Sequence, residues 1–321
     1  MKKPALVFTT IFLSLFCFSE AAFSWGGAVH AYLAEQYCTK NKLTNGNLIY
    51  GGFTPDIFNF RFDAPEYMAY LYDQTHHNAM KMWDAARSKP EKALALGFVS
   101  HNEIWGADFT AHRSGITFGQ QGTIPGRPGE GGYIIAKAYM LKGMLEQNPE
   151  FSALQLPEAV SLEVAHDLVE YGVDILMKNL DPLIGLKMAI SAIQPNPASP
   201  LLLQKAYSAD FAEHFGIRPI IAHMFIRTSE REFRKTMTLY GRALMQDDAT
   251  SILLLSGQLE EFAAQFLASY GYVLPPGVDI APLLQSGIML SMMLCANDFA
   301  AEVLSTADFV EQQLDLNGIS H

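Results

Sequence analysis

An all-α fold is predicted by three features of the chain. Apolar residues recur three and four apart in one segment after another. No stretch shows the alternate-residue pattern of a half-buried strand. Proline and glycine separate most of the apolar segments, as helix boundaries require.

The first helix carries Ala28, Val29, Tyr32, Leu33 and Tyr37 and ends near Asn41. Gly51-Gly52-Phe53-Thr54-Pro55-Asp56-Ile57 reads as a turn into a helix start, with Pro55 setting the backbone. Residues 67–72 and 79–86 are helical, and Pro90 opens a further helix that runs through 91–99 into the stretch 100–112. Residues 113–133 then hold Gly115, Gly119, Gly122, Pro125, Gly126, Pro128, Gly129, Gly131 and Gly132. This is a long loop, either a lid or a disordered insertion. It lacks GxxxxGK[ST], which excludes a phosphate-cradling loop of that kind. Helices are predicted again over 134–147, 162–180, 201–214, 220–227, 230–246, 250–270 and 280–313. The methionine-rich piece 288–295 is short and interrupted, so it reads as core and not as a membrane span. His214 and His223 each stand alone in apolar surroundings and read as core histidines.

At 321 residues and 50% hydrophobic, the chain can bury a large core as one domain or two. Its net charge of −11 argues against a stable complex with nucleic acid, which draws a basic face. Residues 1–24 have the form of an export leader: Lys2 and Lys3, an apolar run from Leu6 to Phe18, and small residues at Ala22 and Ser24. Cleavage before Trp25 would make the chain secreted or periplasmic. Only Cys38 and Cys295 would remain, compatible with one disulfide or with two buried thiols. Three regions follow: the leader 1–24, a catalytic region 25–180, and a helical C-terminal region 181–321 packed on it.

The metal-competent residues gather around 100–112. On an ideal helix His101, Asp108 and His112 fall within about 40° of one another. Their neighbours Phe98, Val99, Ile104, Trp105 and Phe109 are too apolar for a solvated face. Buried imidazoles and carboxylates need partners, and a divalent cation suits the mixture. His166 and Glu170 stand at i and i+4, able to grip one ion. Asp56 follows the Pro55 turn. His76 and His77 are adjacent, so on a helix they diverge and only one is expected to be a ligand. Trp25, if it begins the mature chain, offers its free amine and its carbonyl, and His30 lies about one turn beyond.

In this order the donors Trp25, His30, Asp56, His76 or His77, His101, Asp108, His112, His166 and Glu170 resemble those of the zinc-dependent phospholipase C and single-strand nuclease superfamily. Trp25-Gly-Gly-Ala-Val-His30 is similar in spacing to the nuclease branch, and His166-x3-Glu170 to the phospholipase branch. The resemblance covers roughly residues 25–175 and implies a multi-helix bundle with two or three Zn²⁺. It implies that Asp56, His76 (favoured over His77) and His101 hold one ion. Asp108 would bridge it to a second ion held by Trp25 and His30, and His112, His166 and Glu170 would hold a third. One departure stands out: the family's His-x3-Asp-x5-His is here His101-x6-Asp108-x3-His112. Seven helical residues would separate His101 from Asp108 by about 10.5 Å. Either the helix breaks near Gly106, or Asp108 pairs with His112 and Glu103 assists the first ion.

The expected activity is hydrolysis of phospholipid headgroups by a zinc-activated water, with Asp56 also acting as the base that orients it. Ile116, Phe118 and Ile124 of the loop would touch the membrane surface. A nuclease or 3′-nucleotidase on the same metals, and a non-catalytic metal-bound binding protein, are the alternatives.

Overall fold

The computed structural model describes residues 25–37, 46–118, 131–193, 198–274 and 278–319. The leader, Cys38 and Ile124 lie outside the described residues, as does most of the glycine-rich loop. Cys295 is a buried free thiol.

Every regular element among the described residues is helical, and the one extended pairing is an isolated bridge between Ser114 and Gly131. In order these are α1 (Gly27–Gln36), α2 (Gly46–Phe53), a 3-10 turn (Thr54–Phe58), α3 (Pro65–His77), α4 (Met80–Ala85) and α5 (Lys89–His101). A one-turn π-helix (Phe109–Arg113) precedes α6 (Tyr133–Leu145), α7 (Pro149–Ala153), α8 (Glu158–Leu176) and a short 3-10 turn (Met177–Asn179). Then come α9 (Ile184–Ile193), α10 (Ala198–His214), α11 (Pro219–Leu244), α12 (Asp248–Ser269), α13 (Ala281–Cys295) and α14 (Phe299–Leu316). No single described helix is long and apolar enough to cross a membrane.

Helix boundaries differ from the sequence expectation at several places, and α9 is not among the expected helices. Gly51 and Gly52 lie inside α2 and form no turn. They are there because α2 and α5 touch backbone to backbone: a Cβ on Gly51 would lie 2.1 Å from the Leu94 carbonyl oxygen. Gly97 returns the contact, its Cβ position being 2.1 Å from the Leu48 oxygen. Residues 220–246, expected as two helices, form the single α11, because nothing between Arg227 and Glu230 breaks the helix. Residues 280–313, expected as one, are bent by 73° between α13 and α14.

One hydrophobic core runs from Trp25 to Ile319 and draws on both halves of the chain. α5 starts with a full capping box between Ser88 and Glu91, and Lys205 of α10 reaches Glu91 at 2.7 Å. The C-terminal helices therefore brace the helix that ends in His101.

Candidate metal centre

The helix carrying His101 stops at that residue. Asn102 leaves helical geometry (φ −34°, ψ 156°), and its Oδ1 accepts the amides of Ile104 and Trp105 at 2.8 and 2.9 Å. Gly106 folds back onto it so closely that a Cβ would lie 2.6 Å from the Asn102 nitrogen and oxygen. The Glu103 amide ties this turn to α3 through the His76 carbonyl at 3.1 Å. The chain then resumes at Asp108 and the π-type turn. A continuous helical face over 101–112 is thus replaced by a reversal, which brings His101 Nε2 within 2.9 Å of Asp108 Oδ2.

His101 is shared by two donor groups, and Asp108 faces three imidazoles. Its Oδ1 lies 3.2 Å from His30 Nε2, and its Oδ2 lies 3.6 Å from His76 Nε2. The His30 and His101 rings are stacked with centroids 3.7 Å apart. Asp56, delivered by the Thr54–Phe58 turn, faces His76 Nε2 at 3.3 Å and His101 Nε2 at 3.5 Å. The ligand atoms of His30, His101 and Asp108 lie within 4.8 Å of one another, as do those of Asp56, His76 and His101.

A third group is formed by His112, His166 and Glu170. The two imidazoles meet Nε2 to Nε2 at 3.2 Å, and His166 Nε2 lies 3.4 Å from Glu170 Oε1. Glu103 belongs here and not with the first group: its Oε1 contacts His112 Nδ1 at 2.5 Å. Glu163 and Asp167 flank His166 as a further acidic pair. With His166 and Glu170 they make an i, i+3, i+4, i+7 stripe on α8, a pattern legible in the sequence but not singled out there.

The imidazoles are aimed by their other nitrogens. His76 Nδ1 is 3.0 Å from the Tyr72 carbonyl, His101 Nδ1 is 2.8 Å from the Gly52 carbonyl, and His112 Nδ1 is on Glu103. Each Nδ1 is thereby engaged and each Nε2 is turned inward, the arrangement by which proteins orient metal-ligating histidines. His77 is left out. One residue along α3 from His76 it points about 100° away, and its Nδ1 lies 3.2 Å from the exposed Asp73.

Trp25 is buried beside the cluster. Its ring stacks on Tyr133 with centroids 5.2 Å apart, and its Nε1–H donates to Thr110 Oγ1 at 2.9 Å. The cleavage that would free its amine lies outside the described residues. Asp174, missed in the sequence, fixes the start of α1 by accepting the amides of Ala28 and Val29 at 2.8 and 3.1 Å and the Tyr240 hydroxyl at 2.8 Å.

Burial opposes every charge in the centre, and the pairing decides who carries it. Burial alone would raise Asp108, yet His101 and His30 hold it well below the usual carboxylate range. Burial would lower His101, but Asp108 and Asp56 hold it well above the usual imidazole value. Burial pushes His166 down to about 4 and Glu170 well up. Both Asp108 oxygens and Glu170 Oε1 are buried without a well-aligned hydrogen-bond donor. Carboxylate oxygens and imidazole nitrogens that converge without aligned hydrogens fit a shared divalent cation.

No protein-family model, no curated protein and no solved structure matches the chain.

Phe118, expected at a lipid surface, is turned inward. It packs edge-on against Tyr133, and the buried Lys137 ammonium sits 4.3 Å from its ring centre. The loop segment before it is held by Glu302 of α14, fully buried, which accepts the amides of Ile116, Thr117 and Phe118 at 2.6, 2.7 and 3.0 Å.

Proposed function

We propose that the chain is an exported zinc-dependent phosphodiesterase of the phospholipase C type, related to the zinc phospholipase C and single-strand nuclease superfamily. The observation that carries the reading is the Asp108 hub, a buried carboxylate set between two imidazole groups beside a third histidine–carboxylate group. The donors are nitrogen and oxygen throughout, and the mixture suits zinc. His30 and Asp108, with the Trp25 amine once the leader is removed, would hold one ion. Asp56, His76, His101 and Asp108 would hold a second, and His112, His166 and Glu170 a third. Zinc bound there supplies charge for the phosphoryl oxygens and a water acidic enough to attack at neutral pH.

The chain's own residues set up the rest. Asp56, 16% exposed and bordering a groove, is the carboxylate placed to orient the attacking water. Glu103 keeps His112 in one orientation, and the Tyr72 and Gly52 carbonyls do the same for His76 and His101. The groove favours a lipid over a nucleic acid. Phe60 is tilted on Phe262 at 5.0 Å and Phe62 stands edge-on to Phe266 at 6.4 Å, so neither pair offers parallel faces for a base to enter.

The test is to recover the exported protein, sequence its N-terminus, count its metal, and assay phosphatidylcholine, single-stranded DNA and 3′-nucleotides. The expected result is Trp25 first, two or three zinc ions and turnover of phosphatidylcholine. Turnover of nucleic acid alone would make it a nuclease. A single ion with every position filled by protein and no turnover would make the metal structural.

A further inference from the structure

The ring of His166 is held differently from its neighbours in the centre. His76, His101 and His112 each have Nδ1 engaged by a carbonyl or carboxylate oxygen at 3.0 Å or less, which leaves Nε2 to face the cluster. His166 turns its Nε2 to His112 and Glu170 in the same way. Its Nδ1, however, has no hydrogen-bond partner among the described residues, although the side chain is only 1% exposed. A buried polar nitrogen left over in this way calls for a partner.

What faces that nitrogen is acidic. On α8, Glu163 lies one turn before His166 and Asp167 directly after it, so the three span about 100° of the helix surface. Asp167 Oδ1 stands 3.8 Å from His166 Nδ1, too far for a hydrogen bond. Two donors bonded to one ion at about 2.1 Å each stand about 3–4 Å apart, and the spacing here falls in that range. The ligand atoms of Glu163, His166 and Asp167 all lie within 4.8 Å of one another. Asp167 pairs with no lysine or arginine among the described residues; its one ion-pair contact is His166 itself.

We propose that Glu163, His166 Nδ1 and Asp167 form a further divalent-cation site on the outer side of the ring whose Nε2 serves the third group. One imidazole then carries a cation at each nitrogen, and the ring proton is displaced to solvent as the second nitrogen binds. Glu163 and Asp167 are half-buried, and three protein donors leave positions for water, so this ion is reachable where the inner ones are enclosed. Two carboxylates beside one imidazole suit zinc and manganese alike. Asp167 also lines the groove bordered by Asp56, whose wall includes residues of α11 and α12, so the outer ion faces that groove. The site needs the third donor group but nothing of the proposed hydrolysis.

The test is a count. The exported protein is stripped of metal and titrated calorimetrically with Zn²⁺, beside Asp167→Asn and Glu163→Gln, which keep each side chain's volume; circular dichroism checks that each variant is folded. The wild type should show a weak class of Zn²⁺ that both variants lack, with the tighter ions kept in number and affinity. In nitrogen NMR of histidine-labelled protein, the Nδ1 resonance of His166 should shift as the weak class fills, and should not do so in Asp167→Asn. Were Asp167 only the partner that orients the ring, its replacement would weaken a tight ion about 10- to 100-fold with the count unchanged, and the outer site would be overturned. Equal counts in the wild type and the folded variants would overturn it too. So would an Nδ1 resonance that stays still in the wild type, a result that needs no variant to fold. Turnover of a phosphodiester without the outer ion would remove this site and keep the phosphodiesterase reading, and an outer ion without turnover would do the reverse.

Discussion

Replacing Asp108 with asparagine strikes the buried carboxylate that faces three of the imidazoles. Asp108 is fully buried, and its oxygens face His101 at 2.9 Å, His30 at 3.2 Å and His76 at 3.6 Å. Asparagine preserves the volume and removes the charge, so packing is held constant. Withdrawing one partner from a buried charge pair costs about 3–5 kcal/mol. For a chain of this length each kcal/mol moves the thermal midpoint by about 2 °C, so the midpoint should fall by about 6–10 °C. The metal reading adds a second signature. A ligand that binds only the folded state raises its stability, so EDTA should lower the wild-type midpoint and lower that of the variant less. Calorimetry with and without EDTA, with metal counted by mass spectrometry on the same samples, provides the check. A variant that keeps both the wild-type midpoint and the wild-type metal content would refute the hub.

Three further outcomes are expected. Gly51→Ala should cost about 3 kcal/mol in urea denaturation, since its methyl would meet the Leu94 carbonyl at 2.1 Å and push α5, with His101 on it, away from α2. Glu91→Gln should cost about 1 kcal/mol at pH 7, a modest figure because the Lys205 partner is half-exposed. Lys205 and the amides of Ser88 and Arg87 hold the Glu91 carboxyl down to about 2, below its ordinary 4.5. Its stabilisation is therefore present above pH 4.5 and lost as pH falls towards 2, and the gap between wild type and variant should close over that window. Glu302→Gln should weaken the clamp on Ile116, Thr117 and Phe118 by about 2 kcal/mol, read as faster amide exchange at those three residues with little change in α1.

The helices were legible because their apolar spacing is local information. The donors were legible because metal chemistry restricts which residue types can serve. What the sequence concealed was tertiary. Gly51-Gly52 looks like a turn until α5 is placed against α2, where the absence of a side chain is what lets two backbones meet. His101 and Asp108 look too far apart on a helix, because the reversal depends on Asn102 capping the next turn and on Gly106 fitting over it. Glu103 could be read as a ligand of the first group, since nothing local says that it faces His112. The part played by α11 and α12 had no signature at all. Their groove-facing residues are ordinary helix-core types, and only the packing shows that they end beside Asp56 and Glu170.

Glu302 carries a consequence for how the molecule must be handled and how it can change over time. Its carboxylate grips the segment of chain that leaves His112, although His112 and Glu302 are 190 positions apart in the sequence. A fragment ending near residue 180 would possess every donor yet lack the hand that steadies one of them. The tail half of this polypeptide is thus part of the machinery's frame, and shortening it should cost cation retention before it costs helix content.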